Sequence, residues 1–395
     1  MTTHVFIVDS NTFKIHLENM FAGTGAKDYV IDFNNNKESS LKPTAERLLV
    51  GMTADACRIR KDDKIIFYLQ QTKTRYTNEP KEGKFFGIFK AKNDWAFLDN
   101  NDENQFLKTE LNKSLTFRVE IEPDNVYPLG VTEWEALDEI KSILSPHQML
   151  WSMIYRKLRG KRGNTMITLY EAERLHQLIR DKNERQMLSN LKQLSFDEDM
   201  QKIIELEKDL ILYKGNRKEP LNILPRLLEK YKNNLAFEIH LQSYIINYIG
   251  KNYNKSLDDS LLPPNAKIQW IGNEVGCGMG MQSIDIMIDY IENNQKVVSP
   301  IELKCNEIPF YITNQIQRYI DWIAQYYKSN RQCDISPVLV YQKRKSNSKK
   351  EIEKFEKITQ KITDFNKKNE GICSPIKLIE FEIQNNNLFF SKIDY

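Results

Sequence analysis

Two carboxylates and an ammonium stand on what read as neighbouring β-strands. Asp285 lies within Ser283-Ile284-Asp285-Ile286-Met287-Ile288, and Glu302 and Lys304 end Val297-Val298-Ser299-Pro300-Ile301-Glu302-Leu303-Lys304. A short polar loop joins the two runs. The set suits metal-assisted cleavage of a phosphodiester. Carboxylates hold a divalent cation, Mg2+ or Mn2+ in its place, which polarises the phosphate and lowers the pKa of a bound water. The lysine positions that water or stabilises charge building on phosphorus.

Glu-x-Lys alone is a weak signal in a chain that is 28% charged. It recurs at Glu79-Pro80-Lys81, Glu82-Gly83-Lys84 and Glu139-Ile140-Lys141, with Asp62-Asp63-Lys64 as an acidic relative. The first two fall in a Pro/Gly turn and the third in a helical pattern; Asp62 to Lys64 precedes its strand. Only Glu302 and Lys304 close a buried-looking strand that follows an acidic one. The plainer alternative is a solvated ion pair at a sheet edge. Asp289, on the same strand face as Asp285, is a rival for the ligand role; the tighter apolar bracket around Asp285 favours the latter.

The flanks add two helices. Phe237 to Ile245 is amphipathic with Glu238 near its start, and Asn314 to Trp322 puts Gln315, Arg318 and Tyr319 on one face. Helix with Glu, strand with Asp, strand with Glu-x-Lys, helix with Gln-x-x-x-Tyr: this order over 230–345 resembles the PD-(D/E)XK nucleases, in particular the branch with RecB-like and archaeal mismatch-endonuclease domains. The resemblance implies a restriction-endonuclease-like αβ core with a central mixed sheet. It implies Asp285 and Glu302 as metal ligands, Lys304 as the catalytic lysine and Glu238 as the supporting helix acid. Gln315 and Tyr319 match the branch's additional motif, which braces the site. The chain departs from the pattern at Gln282-Ser283, where Gly-Arg often precedes Ile-Asp.

The first half reads as mixed α/β. Val5 to Val8, Lys64 to Leu69, Lys84 to Lys90 and Ser114 to Ile121 are strands, and Phe13 to Met20, Glu133 to Leu144, Gln148 to Leu158 and Thr168 to Leu178 are helical. The order Asp-Asp-Lys-Ile-Ile-Phe-Tyr, then Gly-Lys-Phe-Phe-Gly-Ile-Phe-Lys, then a segment with Trp95 and Phe97 resembles the EVE/YTH group of PUA-like barrels over 1–130. That resemblance implies a domain that takes a base into an aromatic pocket, for which Tyr68, Phe86 and Trp95 are candidates, with Phe67 and Trp134. Strand aromatics more often fill a core. Five cations lie within Arg156-Lys157-Leu158-Arg159-Gly160-Lys161-Arg162 without an acid. Arg156, Lys157, Arg159, Lys161 and Arg162 suit phosphate contacts; a solvated loop is the alternative.

These readings divide the chain into an α/β recognition domain at 1–180, a helical connector at 181–230 and a nuclease domain at 231–395. Within the connector, Lys182 to Leu194 and Met200 to Leu212 carry helical apolar spacing. Further on, Val338 to Tyr341 and Ile376 to Ile383 read as strands, Glu351 to Phe365 as an amphipathic helix, and Lys343 to Lys350 as a basic, Ser/Asn-rich loop.

Composition bounds the rest. At 395 residues and 41% hydrophobic the chain holds more than one core. A mean hydropathy of -0.57, no long apolar run and no apolar segment near the start point away from a membrane span or signal peptide. Cys57, Cys277, Cys305, Cys333 and Cys373 are scattered, without Cys-x-x-Cys, which suits a reducing cytoplasm. No histidine pair has zinc spacing. The net charge of +3 leaves nucleic acid open, since basic residues cluster on one face in many such proteins. The expected activity is Mg2+-dependent cleavage of double-stranded DNA by a restriction or defence endonuclease. It would act as a homodimer, with a cognate methyltransferase as a partner if it restricts. The alternatives are a repair or mismatch endonuclease and a non-catalytic nucleic-acid binder.

Overall fold

The computed structural model describes residues 1–27, 29–33, 43–70, 82–137, 140–144, 149–150, 162–277, 282–327, 333–344 and 348–395. It is an α/β protein of two compact units, one formed by Met1–Asp32 with Leu41–Leu221, the other chiefly by Asn222–Tyr395. Among the described residues no helix is long and apolar enough to cross a membrane.

The first unit begins with β1 (Thr3–Val8), α1 (Ser10–Asn19), β2 (Phe21–Thr24) and α2 (Pro43–Cys57). Asp9 caps α1 by accepting from the Thr12 amide, and Met20 closes it in the left-handed region. There follow β3 (Lys64–Leu69), β4 (Lys84–Ala91), β5 (Phe97–Leu98), α3 (Lys108–Leu111), β6 (Phe117–Pro123), β7 (Val131–Thr132), α4 (Glu133–Leu137) and β8 (Asn164–Ile167). The unit closes with α5 (Leu169–Lys182), β9 (Lys192–Asp197), β10 (Lys202–Asp209) and β11 (Glu219–Pro220). The main sheet runs β11-β5-β6-β4-β3-β1-β8, with β1 parallel to β3. Because β6 takes β2, β4 and β5 as partners along its length, the sheet bends into a half-barrel.

Three expectations change here. The segments read as connector helices form the β9–β10 hairpin, paired from Asp197 and Lys202 outward, and β11 joins the main sheet. Leu194 and Phe196 are both buried at period two, and the four-residue recurrence that resembles a helix fits alternation equally well. The first unit therefore extends to Leu221 and no helical connector separates the domains. The helix expected over Glu133 to Leu144 is α4 alone, with one 3₁₀ turn at Ile140–Ser142. By contrast, α5 starts where expected, through a capping box of Thr168 and Glu171.

The second unit is a mixed sheet with helices against it. In order it contains α6 (Leu224–Lys232), α7 (Glu238–Tyr248), α8 (Lys255–Leu261), β12 (Lys267–Gly276), β13 (Ser283–Glu292), β14 (Gln295–Lys304) and α9 (Ile312–Trp322). It ends with β15 (Cys333–Ile335), β16 (Val338–Gln342), α10 (Lys349–Lys368), β17 (Lys377–Gln384) and β18 (Asn387–Ile393). The sheet order is β12-β13-β14-β16-β17-β18, with β15 also on β14. The first three strands form an antiparallel meander, and β14, β16 and β17 run parallel. Pro300, which has no N–H to give a ladder, falls in the gap between β15, opposite Lys296–Val298, and β16, opposite Ile301–Lys304.

The β13–β14 turn sets the site. Asn293 and Asn294 both have positive φ, 47° and 65°, in a two-residue connection between Glu292 and Gln295. Asparagine tolerates that region, and two such residues give the turn whose twist matches a hairpin. The register then runs Glu292 to Gln295 down to Ile286 to Ile301. One step further places Asp285 opposite Glu302.

Candidate active site

Asp285, Glu302 and Lys304 share one face of the β13–β14 hairpin, because side chains alternate with period two and opposed residues lie on the same side. Asp285 Oδ2 accepts the Leu303 amide at 2.9 Å, tying the two strands together where the ladder ends. Gln242 of α7 donates to the Asp285 carbonyl at 2.7 Å, which fixes that backbone from the helix.

Glu302 is 1% exposed, and a carboxylate so placed needs donors. Oε1 accepts from Gln315 Nε2 at 2.7 Å and from Lys304 Nζ, and Oε2 accepts from the Tyr319 hydroxyl at 2.8 Å. Gln315 Nε2 also reaches the Tyr319 oxygen at 2.6 Å, so that hydroxyl accepts from Gln315 while giving its one proton. The Ser283 carbonyl lies 3.2 Å from the same oxygen, but the shorter, charge-assisted bond to Glu302 takes the proton. Helix α9 thus grips Glu302 through two side chains four residues apart. Lys304 Nζ also donates to the Leu303 carbonyl at 2.8 Å and lies 3.9 Å from Glu238 Oε2, at the start of α7.

The electrostatics follow from this crowding. Burial, then the charge of Glu302, raises the Asp285 pKa well above the usual carboxylate range, against the Leu303 amide that favours the anion. Burial pulls Lys304 down, but Glu302, Glu238 and Asp285 outweigh it and hold the ammonium protonated. Burial and the Glu302 charge both raise the Tyr319 hydroxyl, so it stays a donor.

Among the described residues no group of three His, Cys, Asp or Glu side chains converges as a ready-made metal site. The donor set present is the Asp285–Glu302 pair, with Glu238 near Lys304. Hard oxygen donors suit Mg2+ or Mn2+, and Mg2+ commonly takes only one or two carboxylates, completing its shell with waters and substrate phosphates. The repulsion that raises Asp285 is one a divalent cation relieves. The pair therefore fits such an ion.

The rival Asp289 is engaged elsewhere. It is 7% exposed and accepts from the Tyr327 hydroxyl, in the π-helical turn Ile323–Tyr327 after α9. Burial pushes its pKa up to about 7. Gln242 escaped the sequence reading, although it stands one turn beyond Glu238 on the same helix face, a spacing that offered the signal.

The first-unit candidates do not converge on a pocket. Phe67 pairs with Phe86 and Tyr68 with Phe85 across β3 and β4, so Tyr68 and Phe86 face opposite sides of the sheet. Phe86 and Phe67 are 0% exposed, both packed against Phe13. Tyr68 is buried and donates to Glu133 Oε1 at 2.6 Å. Trp95 is 41% exposed beside Phe97, and Trp134 is 62% exposed. Tyr68, Phe67 and Phe86 are core residues, and Trp95 and Trp134 are separate surface residues. Arg156, Lys157, Arg159 and Lys161 lie outside the described residues. Arg162 packs against Gly51 of α2 and pairs with Asp55 at 3.4 Å, which binds it to its own fold.

Comparison with family models, with curated proteins and with solved structures gives no match.

Proposed function

We propose that the second unit is a divalent-metal-dependent nuclease of the PD-(D/E)XK kind, cutting the phosphodiester backbone of DNA. The observation that carries this reading is the convergence of Asp285, Glu302 and Lys304 from two strands, with Glu302 held by Gln315 and Tyr319 of α9. An ion pair at a sheet edge needs neither a buried carboxylate nor two further donors from a helix.

Asp285 and Glu302 would hold Mg2+, which supplies Lewis acidity at the phosphate and acidifies an attacking water. Lys304 would give its ammonium to a non-bridging phosphate oxygen and stabilise the charge that grows there. Gln315 and Tyr319 keep Glu302 aimed, and Gln242 keeps the Asp285 backbone from shifting. Such a site is indifferent to base sequence. Specificity would come from the first unit, proposed as a PUA-like reader of a short sequence or modified base. Cutting both strands would call for two centres, hence a homodimer.

A restriction or defence role is preferred to mismatch repair, and one experiment separates them. Purified protein is incubated with unmodified, cytosine-methylated and mismatch-bearing duplexes, with Mg2+, Mn2+ or chelator, and the ends are sequenced. The proposal expects metal-dependent cuts at discrete sites, sensitive to methylation where a cognate methyltransferase protects. Cuts confined to mispairs would move the protein to repair. Absence of cutting with either metal on every substrate would refute the nuclease reading.

A further inference from the structure

Immediately beyond Lys304 the chain lines a cleft of about 340 Å3, open mouth included, with Asn306, Glu307, Ile308, Tyr341, Arg344 and Phe355 on its walls. Tyr341 is the register partner of Lys304 on the adjacent parallel strand, so the cleft starts one strand, about 5 Å, from the candidate lysine. Its floor is aromatic, with Tyr341 and Phe355 centroids 6.0 Å apart.

Its walls carry both signs, since Glu307 and Glu351 line it beside Lys354 and Arg344, and Lys354 pairs with Glu307. The Arg344 guanidinium lies 4.3 Å from the Phe355 centroid, exposed, and among the described residues no carboxylate pairs with it. Arg344 follows Lys343, which pairs with Glu382, in the basic sequence stretch 343–350 that the active site leaves unused. Lys349 and Lys350, both exposed, enter the first turn of α10. Cations there oppose the helix dipole, so they do not serve the helix. Two residues beyond Ile308 in the chain, Phe310 and Tyr311 are 44% and 63% exposed at the start of α9, the helix that carries Gln315. Lys361 stands 5.1 Å from the Phe310 ring, two turns along α10 from Lys354, which pairs with Glu307. Aromatics interleaved with cations are what a groove for a nucleic-acid strand uses, rings for bases and cations for phosphates.

We infer that this cleft and its rim hold the DNA strand next to the scissile phosphate, with Arg344, Lys349 and Lys350 on phosphates and Phe310 and Tyr311 against bases. Its place beside the cut rests on the nuclease reading; the binding itself does not. Arg344 offers a planar fork that matches phosphate oxygens.

The test is fluorescence anisotropy of the full chain with a short labelled oligothymidylate, in chelator so that nothing is cut, across a salt series. Wild type binds, and Arg344→Glu/Lys349→Glu/Lys350→Glu binds at least tenfold more weakly, with its salt slope reduced by about 2, the loss of about three single-strand phosphate contacts. Acidic residues at the start of α10 favour that helix, so weaker binding would not come from unfolding. Tyr311→Ala, at an exposed position, weakens binding about tenfold with an unchanged slope, as lost stacking should. A charge variant that binds like wild type, or a wild type that does not bind, overturns the inference. An unaltered Tyr311→Ala overturns the base contacts. If wild type binds but cuts nothing in Mg2+ or Mn2+, the nuclease reading fails and the strand site stands.

Discussion

Glu302 and Asp289 are two buried carboxylates in one hairpin with opposite fates. Glu302 receives an ammonium, an amide and a hydroxyl, the donors that a buried carboxylate needs. Asp289 receives the Tyr327 hydroxyl, and burial carries its pKa to about 7. Between about pH 4 and 7 the folded chain therefore holds a proton that the unfolded chain has released. Its stabilising contribution is present at low pH and lost as pH rises through about 7. Denaturant titrations of Asp289→Asn should lack this decline, which in wild type amounts to about 1 kcal/mol per pH unit between pH 5 and 7. Parallel profiles for the two proteins would show that Asp289 titrates normally. The rivalry of the two aspartates was open in the sequence because both sit on one strand face; what separates them is Tyr327, a contact no local pattern announces.

At the scale of elements, the Asn293–Asn294 turn decides whether a site exists. A slip of one residue in β13 against β14 would send Asp285 to the opposite face from Glu302. Replacing Asn294, at φ 65°, by Val forces a β-branched residue into the left-handed region at a cost of about 1–2 kcal/mol. Asn294→Gly should be tolerated. Thermal melts and cleavage rates of the two variants check this: Val lowers both and Gly neither, whereas equal behaviour would mean the turn does not set the register. The hairpin and the helices of Glu238 and Gln315 were legible because apolar runs, a polar turn and helical spacing coincide there. The β9–β10 hairpin was not, since its apolar residues recur at a spacing that serves a helix or a strand, and pairing chose the strand. The resemblance to PUA-like barrels groups Tyr68 and Phe86 as pocket candidates; alternation across β3 and β4 parts them.

For the whole molecule, the two units carry separate cores and separate sheets, the first organised around β1, β3 and β4 and the second around β13, β14 and β16. The chemistry proposed here belongs to the second. The order of its helices and strands was legible because each lies on a long periodic segment. The first unit offered only strand aromatics and a basic run, and aromatics serve packing before recognition. The most direct test of the account is digestion of linear duplex DNA in Mg2+ by wild type, Asp285→Ala and Lys304→Ala side by side, with DNA binding measured on the same preparations. Wild type is expected to cut, while both variants bind comparably and cut at least a hundredfold more slowly. Equal cutting by wild type and Lys304→Ala would contradict this.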